Sequence, residues 1–202
     1  MTIKKYLIFL MVLMVSFPIF ADNKLKITAT KVTVFKPEAV QTDTKRGFCW
    51  TNSIAVNRPD AWRCMIDNAI YDPCFALESQ DKVVCDANPI KNENGFLLKL
   101  TKPLPQKDQV KMQNVSAWIV ELADGQICRP YTGSMPVIHR NNEMMAMQYG
   151  CENTANGENS GLVNRSIVPG KIWRAKKVTY ILAETEQKNI KIQNVVIKEV
   201  WQ

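Results

Sequence analysis

The chain has 202 residues, enough to bury a hydrophobic core in one domain. Its 26 basic residues outnumber 19 acids, which is compatible with an anionic surface such as lipid headgroups, envelope phosphates or sulfated glycans, but the lysines are spread along the sequence and form no run that would focus a field. One histidine, and cysteines no closer than the nine residues between Cys64 and Cys74, argue against a zinc centre, whose ligands come in close-set pairs.

The amino terminus carries Lys4 and Lys5, an apolar run from Tyr6 to Val15, then Ser16, Pro18 and Ala21, the three-part pattern of a secretory signal peptide. The run is too short for a membrane anchor, which needs about 18 apolar residues, and the charged stretch Asp22 to Lys26 follows it. We therefore expect residues 1–21 to be a leader cleaved near Ala21 and residues 22–202 to form a single secreted or periplasmic domain without a stable membrane span. Removing two of the 26 basic residues leaves 24 against 19 acids, or +5.

Leu25 to Phe35 is rich in β-branched residues and reads as a strand. Residues 47–85 then gather four cysteines, two tryptophans and a mixture of acids and bases. Within them, Asn57 as a cap, Pro59 at an early position and Asp60 near the positive end of the dipole predict a helix over Arg58–Asn68, tied down by Cys64. On that helix Asp60 and Arg63, and Arg63 and Asp67, would share one face. Trp50, Arg58, Asp60, Trp62, Arg63, Tyr71 and Asp72 are the candidate binding residues, a polar and aromatic patch able to hold a sugar or an acidic peptide. Capping and ion pairing within a disulfide knot is the competing account of the same residues.

Strand signals dominate the remainder. Phe96 to Leu100 is a short apolar run, and Ser116 to Leu122 alternates, placing Trp118, Val120 and Leu122 on one face. Asp124-Gly125 turns that strand into Gln126 to Tyr131. A second hairpin is expected from Pro136 to His139 through Arg140, Asn141 and Asn142 into Glu143 to Tyr149. Ile172 to Leu182 and Ile190 to Trp201 read as two long final strands. The expected fold is mainly β, an antiparallel sheet, sandwich or barrel with one short helix.

Six cysteines in an exported chain favour disulfides, and six allow fifteen pairings. Local closure across turn-rich segments predicts Cys49 with Cys64, Cys74 with Cys85 and Cys128 with Cys151, leaving no thiolate for catalysis or metal binding. Lys171, Arg174, Lys176 and Lys177 flank Trp173, but strand alternation divides them between two faces, against nucleic-acid binding. Met144, Met145 and Met147 fit core filling better than soft-metal binding. His139, the only histidine, falls at a hairpin turn with no nucleophile beside it.

The run CWTNSIAVNRPDAWRCMIDNAIYDPCF at 49–75, with ELADGQICRPYTG at 121–133 and YGC at 149–151, resembles a widespread group of uncharacterised exported bacterial proteins. The resemblance extends to about Trp173 and implies a bacterial secreted domain with paired cysteines, with no activity attached. The resulting expectation is a binding or interaction protein without cofactor or metal, whose ligand is a polysaccharide, another cell-envelope component or a protein. The rival is a secreted hydrolase such as a glycosidase, using two carboxylates about 5 to 9.5 Å apart from among Asp60, Asp67, Asp72, Asp81 and Asp86.

Overall fold

A computed structural model describes residues 27–38, 44–106, 116–152, 157–183 and 186–202, so the expected leader and its cleavage point near Ala21 lie outside the described residues. Among the described residues every regular element is a strand. After the short β1 (Lys31–Thr33), five strands close a barrel: β2 (Thr44–Asn52), β3 (Ala61–Ile66), β4 (Ala69–Ala76), β5 (Lys82–Cys85) and β6 (Phe96–Leu100). Successive strands pair antiparallel, and β2 and β6 close the ring in parallel.

The helix expected over Arg58–Asn68 is replaced by a β-hairpin. Trp62, Cys64 and Ile66 recur every second residue and all three are buried inside the barrel, so the period is that of a strand. Asp67 and Asn68 have φ of 46° and 68°, the two left-handed residues that a tight hairpin turn demands. Asn68 therefore turns the chain into β4 where it was expected to stop a helix. Pro59 precedes β3, where its missing N–H removes no ladder bond.

The second assembly contains β7 (Ile119–Leu122), β8 (Ile127–Pro130), β9 (Val137–Arg140), β10 (Glu143–Cys151), β11 (Asn159–Val163), β12 (Arg174–Ala183) and β13 (Glu186–Trp201). Its strand order is β1-β13-β12-β11-β10-β8-β7, with β9 paired to β10 and β7 paired back onto β13. Both expected hairpins form. Gly125 (φ 85°) lies in the β7–β8 turn, and Asn141 and Asn142 (φ 49° and 64°) make the β9–β10 turn. The first expected strand is shorter than its β-branched run, and β1 joins β13 in parallel.

Each disulfide joins directly opposed residues on neighbouring antiparallel strands: Cys49 to Cys64, Cys74 to Cys85 and Cys128 to Cys151. No cysteine is free. The sulfurs of Cys64, Cys74 and Cys85 converge within 4.8 Å of one another, but each is already bonded. A closed loop of about 15 residues contributes roughly 3 kcal/mol in the chain-entropy model.

Barrel and sheet share a core. Leu98, Val83 and the barrel disulfides fill the barrel interior, while Phe75, Val84 and Leu97 point outward and pack on Trp118, Ile119 and Trp201 of the sheet. This double burial explains why Val83, Val84 and Cys85 are consecutive buried residues, as are Phe96, Leu97 and Leu98. Phe35, Phe75 and Trp118 form an aromatic triad with ring centroids 4.9 to 5.1 Å apart. Among the described residues, no helix is long and apolar enough to cross a membrane.

Candidate functional site

A polar cleft of about 370 Å³ opens where the barrel meets the sheet. Tyr71 and Asp72 of β4 form one wall, Asp86, Asn88 and Glu93 of the β5–β6 connection a second, and Trp118, Arg129 and Thr132 of the sheet a third. The connection is held tightly. Asn88 and Glu93 exchange backbone hydrogen bonds of 2.7 and 3.0 Å, and Gly95, at φ 72°, brings the chain so close that a Cβ would lie 2.1 Å from the Cys85 carbonyl oxygen. Any side chain at 95 would force this wall off the end of β5.

Arg129 crosses from the sheet to the barrel. Its Nη2 donates to Asn88 Oδ1 at 3.4 Å and its Nη1 to Glu152 Oε1 at 3.0 Å. Arg63 makes a second crossing: its Nη2 donates to the Thr132 carbonyl at 3.0 Å and its Nε lies 3.9 Å from Asp72 Oδ2. The Asp72 side chain is only 1% exposed. One of its oxygens accepts the Ser53 hydroxyl and the other the Ile54 N–H, so both are engaged. Burial pushes this carboxyl above its usual value, against the opposing pull of Ser53, the Ile54 and Ala55 N–H groups and Arg63.

The candidate residues from the sequence separate into three groups. Tyr71, Asp72 and Arg63 come together at the cleft, with Tyr71 edge-on to Phe96 at 5.0 Å. Trp50 does not line the cleft; it stands on β2, 38% exposed, its ring 5.8 Å from the Arg63 guanidinium. Arg58, Asp60 and Trp62 do other work. Arg58 is 6% exposed and grips both Asp60 oxygens (2.9 and 2.6 Å) and the carbonyls of Phe35 and Gln202 (2.8 and 2.7 Å), above the Phe75 ring. It clamps the barrel to both ends of the described chain. Trp62 is buried in the barrel, 4% exposed, and presents no open ring face to the cleft.

The expected face-sharing of Asp60, Arg63 and Asp67 is also replaced, because Asp60 precedes β3 and Asp67 begins the turn after it; the pairs formed are Arg58 with Asp60 and Arg63 with Asp72. Asn88, Glu93 and Arg129 were not singled out from sequence. Arg129 and Thr132 do fall within the ELADGQICRPYTG run that carries the resemblance. Lys177 turns inward to Asp124 (3.3 Å) while Arg174 and Lys176 face out, dividing that basic strand as expected. Met147 is buried and Met144 exposed. Comparison with family models, curated proteins and solved structures gave no match.

Proposed function

We propose that the chain is an exported, disulfide-stapled bacterial binding protein whose ligand, a hydroxyl-rich segment of an envelope polysaccharide, seats in the barrel–sheet cleft. The observation that carries the reading is the construction of that cleft. Donors and acceptors from barrel and sheet converge on a volume of about 370 Å³, and Cys74, Cys85 and Cys128 staple the same strands that carry its walls, next to Asp72, Asp86 and Arg129. Asp86, Asn88 and Glu93 offer acceptors to sugar hydroxyls, and Tyr71 offers an apolar edge. Polar groups set on a rigid frame confer specificity without a large ordering cost.

Binding is favoured over hydrolysis by the state of Asp72. A glycosidase needs a proton-loaded acid facing a second carboxylate, and Asp72 is the cleft carboxyl that burial raises. Both its oxygens are committed to Ser53 and Ile54, so its role is to hold the segment after β2 against β4. Isothermal titration of the ligands retained on a glycan array tests the cleft. Asn88→Ala and Arg129→Ala are each expected to weaken binding by about tenfold, the scale of a lost hydrogen bond involving charge. Affinity unchanged by both would place the ligand elsewhere, and sugar release abolished by Asp86→Asn or Glu93→Gln would favour the hydrolase.

A further inference from the structure

The outer wall of the barrel carries a second surface, away from the cleft. Lys82 of β5, Lys99 of β6 and Arg46 of β2 lie in direct register across three adjacent strands. They share the outward face with Val84 and Leu97, which the sheet covers, and so emerge where that cover ends. Strands are spaced at ~4.8 Å, and the three cations step around the barrel at about that interval. Like charges directly opposed destabilise a sheet, so the fold gains nothing from the row.

Several cations elsewhere in the molecule are paired, among them Lys31 with Glu199, Lys177 with Asp124 and Lys198 with Glu121. Among the described residues, no acid lies at ion-pair distance from Lys82, Lys99 or Arg46. Asp81 stands at the end of the row; a hydrogen bond from Ser79 holds its carboxyl low, with smaller contributions from Lys82 and Lys99. One acid leaves the row net positive.

Aromatic rings continue the row along β2. Phe48, two residues beyond Arg46, lies under the Lys102 ammonium at 4.7 Å and 6.4 Å from the Trp50 ring. A shallow depression of about 450 Å³, lined in part by Ser79, Gln80, Asp81, Thr101 and Lys102, opens beside the cations. A curved line of cations ending on an exposed indole suits a chain of acidic sugars, because the polymer follows the curve and a ring stacks on Trp50. A flat bilayer would touch only the crest of this convex wall.

We propose that Lys82, Lys99, Arg46, Lys102 and Trp50 form a binding track for a linear anionic polysaccharide, distinct from the cleft. The test uses the full oxidised chain with heparin-derived oligosaccharides as the probe and neutral dextran of equal length as the control. Heparin fragments should bind, dextran should not, and affinity should fall steeply with salt as displaced counterions require. The paired reversal Lys82→Glu with Lys99→Glu is expected to weaken binding by about tenfold or more, the scale of exposed charge contacts turned into repulsion. Lys171→Glu with Lys176→Glu, the same change in net charge elsewhere, should leave binding within about twofold, because exposed charges beyond a Debye length are screened. Equal losses in the two double variants would mean that net charge alone attracts the probe, overturning the track. Binding unaffected by Trp50→Ala, or matched by single-stranded DNA or anionic vesicles, would make the wall a general anion surface and overturn its assignment to polysaccharide. Asn88→Ala and Arg129→Ala leave the track intact, so failure here is separable from failure of the cleft.

Discussion

Arg58 shows how one side chain can hold three parts of a β protein together. Its guanidinium donates two hydrogen bonds to the carboxylate of Asp60 and one each to the carbonyls of Phe35 and Gln202, over an aromatic face. Removing it strands Asp60 and two carbonyls, so Arg58→Ala is expected to lose about 2–4 kcal/mol in urea unfolding. Asp72 carries a testable sign. Burial raises its folded value above 3.8, so the native state holds the proton over a window where the unfolded chain releases it. Its contribution to stability is fully present below 3.8 and falls as pH rises through the raised value. The stability of the wild type minus that of Asp72→Asn should therefore decline as pH climbs out of the acid range; a flat or rising difference in equilibrium unfolding would contradict this. Tyr149 has the corresponding alkaline behaviour. Its buried hydroxyl donates to the Ala117 carbonyl at 2.6 Å and burial raises its pKa, so its contribution should fade above pH 10, a loss that Tyr149→Phe does not show.

Among the elements, the β3–β4 hairpin is the instructive one, because its residues satisfy a helix start and a strand at once. Asn57, Pro59 and Asp60 form a good helix opening, yet Cys64 must lie opposite Cys49 and Trp62 must fill the barrel. Tertiary burial overrides the local preference. The turn supplies a direct check: Asn68 at φ 68° should accept glycine with no loss of stability, whereas Asn68→Val is expected to cost about 1–2 kcal/mol, because a β-branched residue is strained in the left-handed region. The β7–β8 and β9–β10 hairpins were legible because Asp-Gly and Asn-Asn declare left-handed turns between alternating runs. β5 was not legible, since Lys82–Cys85 is short and, buried on both faces, does not alternate.

For the whole molecule, the shared core decides cooperativity. Phe75, Val84 and Leu97 need the sheet to cover them, and Trp118 and Trp201 need the barrel. The barrel segment 44–106 alone should therefore fail to show a cooperative thermal transition even with both of its disulfides formed, while the full chain unfolds in one step; a sharp transition in the isolated segment would argue for two independent units. Opening the Cys74–Cys85 bridge with paired alanines should cost about 3 kcal/mol and also weaken ligand binding, because that bridge anchors the strand that leads into the Asp86 to Glu93 wall.

The amino-acid sequence by itself determined the β character, the β7–β8 and β9–β10 hairpin turns and the three local disulfides, because alternation, turn residues and loop closure act over a few residues. It also marked Tyr71, Asp72 and Trp50 as residues to follow. Only the tertiary structure decided that 61–76 is a hairpin, that Trp62 and Arg58 serve the core, and that Lys82, Lys99 and Arg46, scattered over 54 positions of sequence, stand side by side. Those outcomes depend on ring closure and on the meeting of barrel and sheet. Such contacts join distant residues, and no local pattern records them.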